Sequence, residues 1–327
     1  MKKTGNTVRK QFGLAAAAIS LALFGSAAVA EFPDKPIQFI IPFGAGGSAD
    51  IEGRLLADEM GKVLGVTVVP VNKPGAGGAV TYTFLKNAKP DGYTMAWSSS
   101  SILTSSNIGN MPFGHDALDH LGQVEFQPMP LAVKADAPWK TLKEFAENCR
   151  ANPGKVKMAN SGTGSATHLA SIAMAEAMGC DVIHLPVGVK RRNATVLSGE
   201  ADAANGPLTA VLNLKRAGKL RLLAVPSAKR NPLIPDVPTA TEEGYPVEFD
   251  LFRSVSVPKG TPKAIKDKLY MAMEKAANSG AFQSLASKKG FTIALMRLDE
   301  FDAMLAQEDA KVARIMKGAG LYQSKSK

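Results

Sequence analysis

Aromatic residues are scarce, at 6% of 327 positions with only two Trp and five Tyr, and no run of Lys and Arg exceeds the triplet Lys190-Arg191-Arg192. A chain with neither a basic stripe nor a stacking surface lacks the footprint of a nucleic-acid binder, so no nucleic-acid partner is expected. Cysteine occurs only at Cys149 and Cys180, too few for a disulfide-dense scaffold. The most apolar stretch, residues 12–24, is about 13 residues long, short of the roughly 20 that a membrane-spanning helix needs. No Lys-Ser/Thr pair completes a P-loop, no Gly-x-Gly-x-x-Gly spacing fits, and no Gly-x-Ser-x-Gly elbow occurs. His115, His120, His168 and His184 are too scattered for a metal motif, so neither metal nor cofactor is expected. His168 lies near Ser161, Ser165 and Thr167, but one helical turn does not assemble a nucleophile, a base and an orienting acid. The chain reads as a non-enzyme.

What is present begins with an address. Lys2, Lys3, Arg9 and Lys10 precede the apolar stretch, and Ala28-Val29-Ala30 forms a small-x-small signal before Glu31. Residues 1–30 therefore read as a secretory signal peptide cut between Ala30 and Glu31, and the lack of Cys at the cut favours a free protein in a periplasm-like space. Without those residues the chain keeps 35 basic against 29 acidic side chains, a mildly basic balance. In an oxidising compartment Cys149 and Cys180 can pair or remain two buried thiols. Each is expected to follow a helix and precede the next strand of one unit, which favours the bond.

Apolar runs of strand length alternate with amphipathic stretches of helix length. Strands are expected at 37–41, 66–71 and 93–97, with helices at 48–63 and from 79 to about 88, an order that predicts a largely parallel sheet. A second series places strands at 131–133, 156–160, 182–185 and 220–225 and helices at 142–150, 166–178, 193–197 and 208–217. An extended segment at 249–257 and helices at 263–277 and 298–316 complete the chain, the last with Leu298, Phe301, Leu305, Val312, Ile315 and Met316 on one face. The reading is two α/β domains, one formed by 31–130 with 248–327 and the other by 131–247, joined by crossing strands with a ligand cleft between them.

Three Gly-rich loops join strands to helices. Phe43-Gly44-Ala45-Gly46-Gly47-Ser48 and Gly75-Ala76-Gly77-Gly78 lie at the carboxyl edge of the first sheet, and Ser161-Gly162-Thr163-Gly164-Ser165-Ala166-Thr167 opens a helix of the second unit. Glycines let backbone approach a ligand, and helix starts offer unpaired N–H groups, so a small anion is the expected guest.

Pro36 to Phe43 with Gly46-Gly47-Ser48-Ala49-Asp50, Asn72-Lys73-Pro74-Gly75-Ala76-Gly77-Gly78, Pro90-Asp91-Gly92-Tyr93-Thr94 and Asn152-Pro153-Gly154-Lys155 resemble, in order, the Bug-type solute-binding receptors of tripartite tricarboxylate transporters. So do Gly164-Ser165 with His168-Leu169, Pro235-Asp236-Val237-Pro238-Thr239 and Pro258-Lys259-Gly260-Thr261-Pro262. The resemblance implies a two-lobed periplasmic-binding-protein fold, type II-like, that captures a small organic acid (mono-, di- or tricarboxylate, aromatic ones included) and delivers it to membrane permease subunits as a monomer. It implies that the first two Gly-rich loops hold a carboxylate, while the second lobe adds side chains from 161–167 and from the stretch after Asp202, Asn205 among them. A sensor for a membrane kinase is the alternative reading, and an exported α/β hydrolase a more distant one. Two stretches depart from the family pattern, Val187 to Arg192 and Phe252 to Val255, and make Arg191, Arg192 and Arg253 the candidate specificity residues.

Overall fold

The first strand, β1 (Ile37–Ile41), is apolar at four of five positions and sits in the middle of a sheet, parallel to β2 (Val68–Asn72) on one side and β3 (Thr94–Ser99) on the other. Helices α1 (Ser48–Leu64) and α2 (Ala79–Lys86) make the crossovers, α1 ending at Gly65 in the left-handed conformation that such a stop favours. The computed structural model describes residues 31–323, of which those from Lys35 onward form one compact unit. The expected signal peptide lies outside the described residues.

The first sheet is mixed, not largely parallel as the sequence suggested. Its order is β11-β4-β10-β3-β1-β2, where β10 (Leu251–Pro258) returns from the distant part of the chain and inserts antiparallel between β3 and β4 (Leu118–Gln127). The outer strand β11 (Thr292–Arg297) pairs antiparallel with β4. The second sheet is built from β5 (Leu131–Lys134), β6 (Val156–Asn160), β7 (Val182–Pro186), β8 (Ala203–Asn205) and β9 (Leu220–Ala224) in the order β7-β6-β8-β5-β9. Its helices are α4 (Leu142–Ala151), α5 (Ala166–Met178), α6 (Val189–Ser198) and α7 (Leu208–Arg216), while α8 (Lys263–Ala277), α9 (Gly280–Lys289) and α10 (Leu298–Gly318) close the first lobe. The chain thus leaves the first sheet after Gln127 and re-enters it at Leu251. Short α3 (Ser101–Asn107), β4, β8, α9 and β11 are additions to the sequence reading.

Helix α5 is apolar on nearly all sides, as a helix buried all round must be. Its first turns place Ala166, Leu169 and Ala170 in one cluster with Ile102 and Leu103 of α3, Phe301 and Leu305 of α10, and Met129 and Phe249 of the crossing segments. The lobes therefore share an apolar core beside the hinge. At the far side of the second lobe, Cys149 in the last turns of α4 and Cys180 just after α5 form a disulfide with Cα atoms 5.7 Å apart.

His120 on β4 is buried, hydrogen-bonded through Nδ1 to Ser256 Oγ at 2.8 Å and through Nε2 to the His115 carbonyl at 3.0 Å. Burial pushes its pKa down to about 4. The unfolded state, with an ordinary histidine near 6.5, binds a proton that the folded state refuses between those values, so stability falls as pH drops from about 7 to 4. A loss on the order of 3 kcal/mol is expected from this group, and His120→Gln should flatten that part of a urea-unfolding profile measured against pH. A wild-type profile that stays level from pH 7 to 5 would contradict the assignment.

Candidate ligand-binding cleft

One wall of the cleft is the loop from Phe43 to Ser48, held from behind by Asp50. The Gly46 N–H donates to Asp50 Oδ2 at 2.9 Å, Asn72 Nδ2 to Oδ1 at 2.9 Å and Arg54 Nε to Oδ1 at 2.7 Å. Asn72 Nδ2 also donates to the Phe43 carbonyl at 2.8 Å, which ties the loop to the end of β2. Partial burial raises the Asp50 pKa, but these three donors outweigh it and leave the carboxyl below its ordinary value. Gly47 caps α1 without a side chain, and the first intrahelical donors are Asp50 N and Ile51 N. The N–H groups of Ser48 and Ala49 are consequently left to the cleft at the positive end of a 17-residue helix.

The second loop follows β2. Backbone φ is positive at Gly75, Ala76, Gly77 and Gly78 in succession, a path that side chains larger than glycine rarely follow. Helix α3 straps this loop to the second lobe. Ser105 Oγ donates to the Gly77 carbonyl at 3.1 Å and, at 3.3 Å, to the Gly164 carbonyl, while Asn110 Nδ2 bridges the carbonyls of Ala76 (3.1 Å) and Thr163 (3.2 Å). Thr104 Oγ1 donates to Gly164, and Ser101 Oγ accepts the Ala166 N–H at 3.2 Å. Within the third loop Ser165 caps α5, and Thr167 Oγ1 accepts the Ser161 N–H at 2.8 Å. The hydroxyls expected to meet a ligand thus also brace their own loop.

Two arginines from opposite lobes meet the space enclosed by these loops. Arg253 on β10 is 2% exposed, with Nε on Glu52 Oε2 at 3.1 Å and Nη2 on Ser48 Oγ at 3.1 Å. Burial, and then the neighbouring Glu52 charge, push the Glu125 carboxyl well above its ordinary range. Glu52 is also raised by burial, against the opposing pull of Arg253. Gln127 Nε2 reaches both carboxylates at 3.2 Å and its Oε1 accepts from Thr209 Oγ1 at 2.8 Å, so this polar knot joins the lobes. Arg192, 3% exposed, donates from Nη1 to Ser161 Oγ at 2.7 Å and faces no carboxylate among the described residues. Burial lowers its pKa to about 10.

The cleft divides into two chambers that share Phe43, Ser161 and Val189. The inner one, about 30 Å³, is walled by Ser48, Ala49, Ser101, Ser165, Arg192 and Arg253 among others. The outer one, about 530 Å³, is walled by Gly44, Gly75, Ala76, Gly77, Thr163 and Arg191 among others. Of the expected site residues, then, Phe43, Gly47, Ser48, Ser161, Ser165, Thr167, Arg192 and Arg253 converge on the inner chamber.

Ala45, Gly46, Gly78, Gly164 and Asn205 line neither chamber. Gly46 spends its N–H on Asp50, Gly164 lies in the contact between lobes, and buried Asn205 donates to the Met129 carbonyl at 2.9 Å, bracing the crossing segment. The basic triplet does not precede its helix but lies inside α6, which turns Arg192 inward and leaves Arg191 on the rim, paired with Glu200 at 3.0 Å. Sequence reasoning missed Ser101, Val189 and Pro207 in the inner wall and Asn110 in the outer one. For Ser101 a signal existed: the run Ser98-Ser99-Ser100-Ser101 followed by Thr104, Ser105 and Ser106 is too polar to be core without a task. No group of His, Cys, Asp or Glu among the described residues could hold a metal, and no described helix is long and apolar enough to cross a membrane.

A model of the tripartite tricarboxylate transporter family receptors matches residues 53–321. BugT of Bordetella pertussis is 32% identical over 317 residues, covering 94% of this chain and 97% of that protein. The structure of the periplasmic binding protein BugD is 30% identical and superposes with a TM-score of 0.81, over 90% of this chain and 100% of that one. MatC of Rhodopseudomonas palustris, solved with bound malate, shares the fold at 24% identity, with a TM-score of 0.79 over 87% and 99% of the two chains. Two α/β lobes around a cleft of helix starts and Gly-rich loops, matched over most of the chain's length, leave one assignment: this protein belongs to the receptors of the tripartite tricarboxylate transporter family, which are periplasmic solute-binding proteins.

Proposed function

We propose that the protein captures a small organic carboxylate between its lobes and delivers it to the membrane permease of a tripartite tricarboxylate system. The observation that carries this reading is the Arg192 guanidinium, buried at the cleft without a counter-ion in a wall that also presents the N–H groups of Ser48 and Ala49. A desolvated cation beside a helix N-terminus is stabilised by an anion far more than by any neutral solute. The malate held by MatC is an anion of this class. Export with cleavage between Ala30 and Glu31, and release as a free protein, belong to the same reading.

A thermal-shift screen of mono-, di- and tricarboxylates, aromatic ones included, tests it. A true ligand at 100 times its dissociation constant stabilises by about 2.7 kcal/mol, enough to raise the melting temperature by roughly 4 °C in a chain of this size. A response to neutral sugars or cationic amines, with none to any carboxylate, would overturn the proposal.

A further inference from the structure

Resting on that reading, the geometry of the inner chamber narrows the ligand class. Both arginines retain a buried N–H donor with no acceptor in the protein, Nε of Arg192 and Nη1 of Arg253. A buried donor left unmade costs free energy, and two such donors on the wall of one chamber point to one shared acceptor. The chamber, at about 30 Å³, has room for roughly one or two water-sized groups, the bulk of a single carboxylate. Charge points the same way. Arg253 is balanced by Glu52, while Glu125 is driven toward its neutral form, so Arg192 carries the one uncompensated charge of the chamber.

Shape restricts the part of the ligand behind its acid group. The two chambers meet at Phe43, Val189 and Ser161, so a ligand that reaches both runs past these side chains. Beyond them, Lys190 and Arg191 of α6 face the loop at Gly75, Ala76 and Gly77. The Arg192 guanidinium lies against the backbone of Gly206, which bars its retreat in that direction. A Cβ at Gly206 would come within 2.8–2.9 Å of Nη2, Cζ and Nε.

We propose that Arg192 and Arg253 hold one terminal carboxylate of the ligand between the two lobes, and that the ligand is an unbranched dicarboxylate whose second acid group lies in the outer chamber. The inner chamber, at about 30 Å³, leaves no room beside the held carboxylate for a branch next to it or for the arms around a tricarboxylate's central acid group. Both arginines are thereby specificity-determining, and each lobe supplies one half of the grip.

The test is titration calorimetry of the mature protein, refolded from urea to strip carried ligand, against butanedioate, pentanedioate, hexanedioate, butanoate and propane-1,2,3-tricarboxylate. The unbranched diacids should bind more tightly than the other two acids. Arg192→Met should weaken diacid binding about ten- to a hundredfold, the worth of a charge-assisted hydrogen bond. The same variant should melt, without ligand, no lower than the wild type, because an apolar replacement relieves an unpaired buried charge. Arg253→Lys, which keeps a cation opposite Glu52, should also lose about tenfold while remaining folded. A structural arginine gives the opposite pattern, a lower melting temperature with undiminished affinity, and that result overturns the clamp alone. Wild-type protein that binds none of these acids overturns the receptor reading and the clamp together, and preference for the tricarboxylate overturns the stated ligand class.

Discussion

Gly77→Val is expected to bring carboxylate binding below detection while leaving both lobes folded. Gly77 has φ of +67°, and a Cβ there would lie 2.7 Å from the carbonyl carbon of Gly164 and 2.8 Å from the carbonyl oxygens of Gly164 and Thr163. These obstacles are backbone of the opposite lobe, so no rotamer change relieves them, and the two loops cannot close together. The local cost to folding is on the order of 1–3 kcal/mol, the usual size of a strained backbone position. Gly280→Ala is the control: a Cβ at Gly280, at the start of α9 and outside both chambers, meets nothing within 4 Å, and this variant should bind as the wild type does. Calorimetry with the best acid of the panel reads both, and Gly77→Val protein with undiminished affinity would remove this contact from the binding mechanism.

The second large effect concerns stability. Replacing both cysteines, as Cys149→Ala with Cys180→Ala, should destabilise the protein by about 3–4 kcal/mol, because the bond closes a loop with a sequence separation of 31 residues. Cys149 is fully buried among Leu142, Phe145, Val156 and Met158, so part of the loss comes from the smaller side chain. Guanidinium unfolding of the oxidised wild type, the reduced wild type and the double variant separates these terms. Equal midpoints for the oxidised and reduced wild type would show that the cross-link does not restrain the unfolded chain, as would two thiols titrating in the exported protein.

How much of this was visible in the sequence depended on what each segment buries. Strands β1 and β6 and helix α5 were placed at their observed bounds, since each buries most of its positions and its apolar residues stand out between Gly- and Pro-rich turns. Strand β4 escaped because its interior is polar. His120, Gln123, Glu125 and Gln127 are all buried; His120, Gln123 and Gln127 bond to groups far away in sequence, and Glu125 accepts from Gln127 two residues along the strand. Missing β4 also hid the mixed character of the sheet, because β10 and β11 both pair with it. The Gly-rich loops were legible from composition, but their division of labour was not. Whether a glycine faces solute, as Gly44 does, or the opposite lobe, as Gly77 does, is decided by tertiary contacts alone. Arg192 and Arg191, adjacent and chemically identical, differ only in which face of α6 they occupy. That face follows from where the helix starts, and the sequence reading began it four residues too late.

Helix α3 gives the parting of the lobes a direction. Beside the Gly-rich loops, α3 and Asn110 just after it tie to the second lobe through hydroxyls and an amide, groups that water satisfies nearly as well once they separate. Ile102 and Leu103 of the same helix join Leu169, Ala170, Phe301, Met129 and Phe249 in one apolar cluster, and water has no comparable substitute for that contact. An opening of the cleft is therefore expected to start among the hydrogen bonds and to pivot on the apolar cluster. The rim at Gly77 and Thr163 parts first, and the recess beneath Arg192 and Arg253 is uncovered last. A solute entering head-first is thus committed at its innermost end before the rim has shut, and on the way out that end is the last to let go.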